Sequence, residues 1–372
     1  MDYGDNSLLS LKDEVPELTE NAARKSLIIV GNIGGTNVGP SFRRAANSLG
    51  FVVHYCDAAR AFAAPSWIVR FNWWLRGHRP TYLRDFSREV LEICEKVRPR
   101  WLLCTGQVPV DARALRQIGA LGVVRLNYLT DDPWNLAHRA PWFFDALTFY
   151  DNIFSVRRAN LPNLTSHGCK VVEYLPFGFD PELFYPEAPS APEEDSRLAS
   201  DVVFAGGADR DRVPYIAALL KMGLRVGLYG SYWERYPETR MHTRGQADVR
   251  TLRLAIAGAK VALCPVRRAN RDGNSMRTFE IPAVGSCMLT EDTWEHREIF
   301  GDDGKAVVYF RSIDEMLKKM RWLLVNDQER KRLATAAHNL IVNGRNTYKD
   351  RLITMLKLNE PGFGNKGLKV GV

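Results

Sequence analysis

Short apolar runs alternate with helical stretches along most of the chain, and this alternation constrains the fold more than any other feature. The runs in the first half are LIIVG, FVVHYC, WLLCTG, VVRLNYLT and NIFSV, and those in the second half, from Asp201 onward, are VVFAGG, LRVGLYG, KVALCPV and AVVYF. Strands that are apolar almost throughout are typical of parallel sheets covered by helices on both faces. The pattern therefore predicts an α/β chain with two doubly wound, Rossmann-like units. Because such units bind ligands at the carboxyl ends of their strands, two units that face each other share one cleft.

The chain of 372 residues is long enough for two domains. Between the halves, the stretch EAPSAPEEDSRLAS is rich in Pro, Ala, Ser and Glu, which is typical of an exposed linker. The predicted divisions are a polar N-terminal tail (1–25), a first domain (26–186), the linker (187–200), a second domain (201–345) and a C-terminal helix with its tail (346–372).

Composition and charge exclude several classes of function. The net charge of +8 suits a protein with an anionic ligand, but it is too diffuse to indicate nucleic acid, and no nucleic-acid-binding motif is present. No apolar run is long enough to span a bilayer, and the polar N-terminus lacks the core of a signal peptide, so we expect a cytoplasmic protein. The six cysteines are scattered without a CxxC pair, which predicts buried free thiols rather than a zinc site.

The stretch DGNSMRTFEIPAVG, from Asp272 to Gly285, places charges at the start of a helix. Asp272 and Glu280 are eight residues apart, and Arg277 lies between them. Carboxylates bind pairs of sugar hydroxyls, an arginine binds phosphate, and the helix N-terminus adds a partial positive charge. A nucleotide-sugar offers all of these groups. Arg277 and Asn274 are placed to stabilise the charge that grows on its departing diphosphate. The alternative is an ordinary turn whose charges are solvated.

A glycine pair, Gly206-Gly207, lies between a predicted strand and a predicted helix. Glycines permit close backbone approach, and the N-terminus of the next helix can receive a diphosphate. Arg210 and Arg212 follow and are candidates for bidentate phosphate contacts, with solvated arginines beside a tight turn as the alternative. Asp209-Arg210-Asp211 has the form of a DxD metal motif, but its place at a helix start favours capping, and we predict no metal site.

Three further strand ends carry candidates with ordinary alternatives. Tyr229 ends a strand and offers a ring on which a base or sugar can stack, although core packing explains it equally well. Asp131 and Asp132 follow the strand VVRLNYL, and either is a candidate base toward an acceptor hydroxyl if the reaction inverts, with a plain Asp-Pro turn as the alternative. Asp57 ends a strand after GNIGGT and raises a competing NAD interpretation, but the glycines lack the G-x-G-x-x-G spacing. His296 is expected to be solvated.

The segment 62–84 concentrates tryptophans and four arginines. A basic and aromatic helix of this kind can rest on an anionic membrane, at the inner face for a cytoplasmic protein, and meet a lipid-linked acceptor. It can also form an acceptor groove. A helix packed by its tryptophans, with its arginines outside, is the alternative.

The second half resembles the GT-B glycosyltransferases and, within them, the spore-protein CgeB/YkvP-like group. The resembling pieces run in order from about Tyr174 to Leu356: YLPFGFDPELFYP, VVFAGGADR, GLRVGLYGSYW, RTFEIPAVGSCMLTE and NTYKDRLITML. The chain departs from the motifs of this group at two positions. Asp272 lies where a glutamate is usual, and Asn346 lies where a histidine is frequent. The first half resembles a GT-B N-terminal domain only in general pattern.

The resemblance implies transfer of a sugar from a nucleotide-sugar, bound on the second domain, to an acceptor on the first. It implies that Glu280 holds the ribose hydroxyls, that Asp272 orients the transferred sugar, and that the last helix, ending near Leu356, crosses back onto the first domain. The acid spacing favours a retaining reaction, and no cofactor or metal is implied. The predicted catalytic residues are Arg277, Asp272 and Asp131, and those predicted to bind the donor are Glu280, Gly206, Gly207, Arg210, Asn274 and Tyr229.

The sequence leaves two other functions open on the same fold. One is a nucleotide-sugar epimerase, and the other is a non-catalytic protein that binds a nucleotide-sugar. The acceptor is expected to be a glycan, a protein or a lipid-linked molecule.

Overall fold

A computed structural model describes residues 25–357 except for 36 and 192–195. The predicted N-terminal tail, part of the linker and the last residues, 358–372, lie outside the described residues. The described chain forms two parallel sheets, each covered by helices. The strands are β1 (Ser26–Gly31), β2 (Val52–Asp57), β3 (Trp101–Thr105), β4 (Val124–Leu129), β5 (Asn152–Ser155), β6 (Val172–Tyr174), β7 (Ser200–Ala205), β8 (Val226–Tyr229), β9 (Ala259–Cys264), β10 (Met288–Glu291) and β11 (Val308–Phe310).

The order of strands is that of two doubly wound units. The first sheet runs β2-β1-β3-β4-β5-β6, and the second runs β11-β10-β9-β7-β8, with parallel pairing throughout. In each sheet the order reverses direction around the first strand, which opens a crevice at the carboxyl ends of the strands beside it. The predicted α/β architecture is therefore confirmed.

Helices connect the strands and cover both faces of each sheet. They are α1 (Val38–Ser48), α2 (Ser66–Leu75), α3 (Leu83–Val97), α4 (Ala112–Ala120), α5 (Pro141–Leu147), α6 (Leu161–Ser166), α7 (Val213–Lys221), α8 (Val249–Ala257), α9 (Met276–Val284), α10 (Trp294–Phe300), α11 (Ile313–Val325), α12 (Asp327–Asn343) and α13 (Tyr348–Lys357). Several begin at a side chain that caps a free backbone N–H. Asp111 accepts from Ala114 N at 2.9 Å, and Asp248 accepts from Thr251 N at 2.8 Å. A cap of this kind stabilises a helix by about 1 kcal/mol.

The core follows from the apolar strands. All six residues of β1 are buried, and successive side chains enter different clusters. Ile28 and Val30 pack with α3 and α4, whereas Leu27 and Ile29 belong to a cluster that continues into the second domain. Burial of each such side chain contributes about 1.5–3 kcal/mol. The six cysteines are all buried and unpaired, as the sequence predicted.

Helix α13 lies against the first domain rather than the second. The rings of Phe42 in α1 and Tyr348 in α13 are 5.2 Å apart, and Thr347 forms a parallel bridge with Phe179. Arg351 Nη2 donates to the carbonyl oxygen of Phe177 at 2.8 Å. The chain therefore returns to the first domain after completing the second.

Candidate active site

A cleft of about 640 Å³ lies between the two sheets. The first domain contributes residues that follow β1, β3 and β4, including Asn32, Gly106 and Asp131. The second domain contributes the end of β7, the end of β9 and the first turn of α9. Both walls are thus built from the carboxyl ends of parallel strands, which is where doubly wound folds bind ligands.

The glycine turn after β7 is held in one conformation. Trp233, fully buried, donates its indole N–H to the carbonyl oxygen of Gly206 at 2.8 Å. Gly230 faces the same turn with φ of +133°, and a Cβ there would overlap Gly206. Asp209 then accepts from the backbone N–H groups of Asp211 and Arg212 at 3.0 and 2.9 Å. The DxD aspartate therefore caps the turn, and the backbone of Gly207 borders the cleft.

Four arginines and two aspartates supply the charged lining of the cleft. The arginines are Arg157, Arg212, Arg267 and Arg277, and the aspartates are Asp131 and Asp272. Since guanidinium groups in a partly enclosed cleft attract anions, the excess of positive charge fits a ligand with several negative oxygens.

Arg212 is nearly buried and has the longest ion-pair distance of the four arginines. It is 8 % exposed, its Nη1 donates to the carbonyl oxygen of Gly207 at 3.3 Å, and its Nε is 3.7 Å from Asp209 Oδ2. That Nε is buried and has no hydrogen-bond partner among the described residues. Burial lowers the pKa of Arg212, and the nearby charge of Arg267 lowers it further. An anion in the cleft would oppose both shifts, because its negative charge stabilises the protonated guanidinium.

Arg277 is placed by the start of α9. Ser275 caps this helix, and its backbone N–H donates to Thr278 Oγ1 at 3.0 Å. Arg277 Nε donates to the carbonyl oxygen of Ala205 at 3.3 Å, and its guanidinium forms an ion pair with Glu280. Burial lowers the pKa of Arg277 to about 10, so the side chain is still protonated at neutral pH. The cation borders the cleft, and Glu280 lies behind it.

Asp272 forms an ion pair with Arg157 across the two domains. Their side chains are 6 % and 3 % exposed. Burial raises the pKa of the Asp272 carboxyl, and the charge of Arg157 opposes this shift. Arg157 Nη1 also donates to the carbonyl oxygen of Thr130 at 2.6 Å. The pair therefore joins the loop before α9 to the ends of β4 and β5.

Further bonds hold the same loop on the first domain. Arg271 donates to both carboxylate oxygens of Asp132, at 2.6 and 2.9 Å. Asn135 Nδ2 donates to Asn270 Oδ1 at 2.6 Å, and Asn274 Nδ2 donates to the carbonyl oxygen of Val156 at 2.9 Å. This interface fixes the position of the α9 N-terminus relative to the first sheet.

Some of the site residues predicted from the sequence line the cleft, and others do not. Arg277, Asp272, Asp131, Gly206 and Gly207 all line the cleft.

Glu280, Asn274, Tyr229 and Arg210 do not belong to this lining. Glu280 is 2 % exposed and Asn274 is fully buried in the domain interface. Tyr229 is 4 % exposed, and its hydroxyl accepts from Arg244 Nη1 at 3.0 Å. Arg210 points to the exposed surface. Ligand contact by any of these residues stays a prediction.

Sequence reasoning missed Arg157 and misjudged His296. Arg157 follows the strand NIFSV at its carboxyl end, and that position was the one available signal. His296 was expected to be solvated, and this expectation is wrong, because the residue is fully buried. Its Nδ1 lies 2.8 Å from the carbonyl oxygen of Glu291 and its Nε2 lies 2.9 Å from Thr278 Oγ1. The histidine therefore supports the first turn of α9 from beneath.

The described residues offer neither a metal-binding cluster nor a membrane-spanning helix. Across 25–357, apart from the gaps given above, no group of three or more His, Cys, Asp and Glu side chains is arranged to hold a metal ion. Over the same residues, no helix is long and apolar enough to cross a bilayer.

Residues 212–357 match the family model described as "Glycosyl transferase-like". The second domain and the last helix are therefore similar to that family. The match begins at Arg212, includes the charged start of α9 and ends with α13. The narrower resemblance to the CgeB/YkvP-like group stays a prediction, and among curated proteins no sequence matches the chain.

Solved structures share the whole two-domain arrangement. Sucrose-phosphate synthase from Thermosynechococcus elongatus matches with a TM-score of 0.65 and 11 % identity, over 90 % of this chain and 99 % of that one. Anabaena Alr3699/HepE, in complex with UDP-glucose, matches with a TM-score of 0.59 and 12 % identity, over 90 % and 99 %. A putative UDP-N-acetylglucosamine 2-epimerase from Listeria monocytogenes matches with a TM-score of 0.56 and 13 % identity, over 90 % and 96 %. The predicted GT-B fold is confirmed.

Proposed function

We propose that the protein is a glycosyltransferase that moves a sugar from a nucleotide-sugar to an acceptor. One observation carries the proposal: the arginines of the cleft, the glycine turn after β7 and the N-terminus of α9 converge on one space between the domains. A diphosphate carries the charge and the oxygens that this arrangement suits.

In the proposed donor complex, Arg212, Arg267 and Arg277 bind the diphosphate, and the backbone of Gly206-Gly207 approaches it closely. Hydrogen bonds to charged groups of this kind contribute about 1.5–3 kcal/mol each. As the bond between sugar and diphosphate breaks, negative charge grows on the leaving oxygens, and fixed cations stabilise it without rearranging. We propose on this basis that the reaction needs no metal ion.

The first donor to test is UDP-glucose. Support comes from the similar fold of Anabaena Alr3699/HepE, which is in complex with UDP-glucose. The acceptor is proposed to enter from the first domain, where Asp131 borders the cleft.

We propose retention of configuration, because the spacing of Asp272 and Glu280 favours it. In an inverting reaction, Asp131 would be the base that takes the proton of the acceptor hydroxyl. NMR determination of the anomeric configuration of the product tests this choice. An inverted product would contradict retention, and loss of turnover in Asp131→Asn would then test Asp131 as the base.

The test of the function is incubation of the pure protein with UDP-, GDP- and TDP-sugars, with and without EDTA. We expect release of nucleoside diphosphate from one donor, at the same rate with EDTA. The alternative function is a nucleotide-sugar epimerase, favoured by the shared fold of the putative Listeria 2-epimerase. An altered sugar on an intact nucleotide would establish that alternative, and tight binding without turnover would establish a non-catalytic binding protein.

A further inference from the structure

Helix α2 presents its apolar side chains to solvent. Trp67, Phe71, Trp74 and Leu75 are 68, 52, 78 and 72 % exposed. These residues fall at positions i, i+4, i+7 and i+8, so they form one stripe along the helix. We call this stripe the aromatic face.

On the side of α2 that faces the protein, the most buried residue is polar. Asn72 is 5 % exposed, and its Nδ2 donates to Thr81 Oγ1 at 3.0 Å. It is the buried residue of α2, so the helix turns an amide toward the protein and Trp67 and Trp74 away from it. Large apolar side chains that are exposed side by side, rather than singly, are typical of an interaction site.

The charge around the aromatic face has one sign. Segment 62–84 contains Arg70, Arg76, Arg79 and Arg84 and no aspartate or glutamate. The chain as a whole carries a net charge of +8. A surface that combines exposed tryptophans with arginines is complementary to an anionic lipid bilayer, in which the rings enter the headgroup region and the cations meet phosphates.

A basic groove lies next to this surface. Its volume is about 650 Å³, and four arginines line it: Arg79, Arg84, Arg88 and Arg113. Two aspartates also line it, Asp111 and Asp145, of which Asp111 caps α4 through Ala114 N. The cations exceed the carboxylates by two, which suits an anionic headgroup.

The groove and the cleft are neighbours. Trp142 lines both, and its indole N–H donates to the carbonyl oxygen of His78 at 3.1 Å. The ring of His78 packs on Trp73 at a centroid distance of 4.2 Å, and both of these residues border the cleft. The aromatic face therefore continues, through Trp73 and His78, to the mouth of the cleft.

We propose that the aromatic face of α2 and the adjacent basic groove dock the protein on an anionic lipid bilayer. Docking places the mouth of the cleft at the headgroup plane, where an acceptor carried on a lipid can enter. The statement about the acceptor rests on the proposed glycosyltransferase function, whereas docking does not depend on it.

The test is cosedimentation of the full chain with two kinds of vesicle, phosphatidylcholine alone and an equal mixture of phosphatidylcholine and phosphatidylglycerol. We expect binding to the mixed vesicles that weakens as salt is added, because salt screens the arginine contacts. Trp67→Ala/Trp74→Ala should lower partitioning by about tenfold or more. Arg84→Glu/Arg88→Glu should lower it by about fivefold for each positive charge removed.

The matched controls lie on the second domain. Trp294 is 73 % exposed, and Arg240 is exposed as well. Trp294→Ala and Arg240→Glu therefore remove the same types of side chain outside the proposed docking surface. Both variants should bind vesicles like the parent protein. Binding of UDP, GDP and TDP without vesicles is measured for every variant. Absence of binding of all three nucleotides by the parent protein would refute the proposed function and leave docking intact.

Three outcomes would overturn the docking proposal. One is absence of binding to the mixed vesicles, and another is equal binding by the parent and the double tryptophan variant. The third is a dimer in sedimentation velocity that Trp67→Ala/Trp74→Ala abolishes, since the aromatic face would then contact a second copy of the chain.

Discussion

Helices α9 and α2 both lie beside the cleft. An ordinary amphipathic helix turns its apolar side chains inward and its charged side chains outward, and each of these two helices breaks one half of that rule. In α9, the ion pair of Arg277 and Glu280 is turned inward, with side chains 18 and 2 % exposed. In α2, Trp67 and Trp74 are turned outward. A buried charge is costly unless it is paired, and a large exposed apolar surface invites association unless it has a partner. We propose that each departure has a binding partner outside the chain, an anion for α9 and a lipid bilayer for α2.

The largest effect is expected when the inward pair of α9 is broken. Arg277→Ala leaves the Glu280 carboxylate buried without its cation, which should lower the free energy of unfolding by about 3–5 kcal/mol. Donor turnover should fall by about a hundredfold to a thousandfold, because a group that stabilises the leaving diphosphate is gone. Urea unfolding and donor hydrolysis measure the two effects.

The double variant Arg277→Ala/Glu280→Gln separates stability from activity. It should recover part of the lost stability, since the uncompensated charge is removed, without recovering turnover. A single Arg277→Ala variant as stable as the parent would show that the pair is not a buried contact in solution.

Acid should loosen α9 through His296. Burial lowers the pKa of His296 to about 4, below its ordinary value of 6.5. The unfolded chain therefore takes up a proton first as the pH falls, and stability is lost between about pH 6.5 and about pH 4. The loss should reach about 3 kcal/mol, and His296→Gln should flatten this part of the curve of unfolding free energy against pH. A curve for the parent protein that is flat over this window would contradict the buried, neutral histidine.

Removal of a cation that lines the cleft should weaken UDP binding more than removal of a neighbouring cation outside the cleft. Arg267→Ala should weaken UDP binding by about tenfold or more, the cost of a lost charged hydrogen bond, and leave uridine binding unchanged. Arg210→Ala is the matched control, and its effect on UDP should be less than about twofold because this side chain is exposed outside the lining. Calorimetric titration with UDP and uridine measures these affinities. Equal losses of UDP affinity in the two variants would contradict a special role for the arginine that lines the cleft.

Glu280→Gln tests the ribose contact implied by the resemblance. UDP affinity should fall by about 1–3 kcal/mol if the carboxylate makes a charge-assisted bond to ribose, while inorganic diphosphate binds as before. Unchanged UDP affinity in a folded variant would refute the ribose role. A parallel loss for both ligands would instead assign Glu280 to the positioning of Arg277.

The smallest effect on stability is expected at the aromatic face. Trp67→Ala should change the free energy of unfolding by no more than about 0.5 kcal/mol, because the side chain leaves no cavity. Phe279→Ala in α9, where the ring is fully buried, should cost about 3–5 kcal/mol. A large loss for Trp67→Ala in urea unfolding would mean that α2 packs against the protein in solution, and the contrast between the two helices would disappear.

Much of the fold could be predicted from local pattern. Each of the nine apolar runs in the two halves overlaps a strand, because a strand buried on both faces must be apolar almost throughout. Strand β6 was missed, since three residues at the edge of a sheet carry too little periodicity to be recognised. The start of α9 was found because capping and charge at a helix N-terminus are local features.

The candidate site was predictable only where a side chain's role depends on its neighbours in sequence. Arg277 is the second residue of α9, so its place at the helix N-terminus follows from local structure. The partner of Asp272 does not, because Arg157 is 115 residues earlier in the chain and meets it only when the domains face each other. The same long-range packing decides that Asn274 is buried in an interface.

The sequence by itself determined two doubly wound domains, a glycine turn and a charged helix start, since each depends on the periodicity, capping and turn chemistry of adjacent residues. Only the tertiary structure decided which charges border the cleft and which are paired behind it. It also decided that Trp67 and Trp74 of α2 face solvent, because the pattern of a helix determines which residues share a face but not what that face contacts.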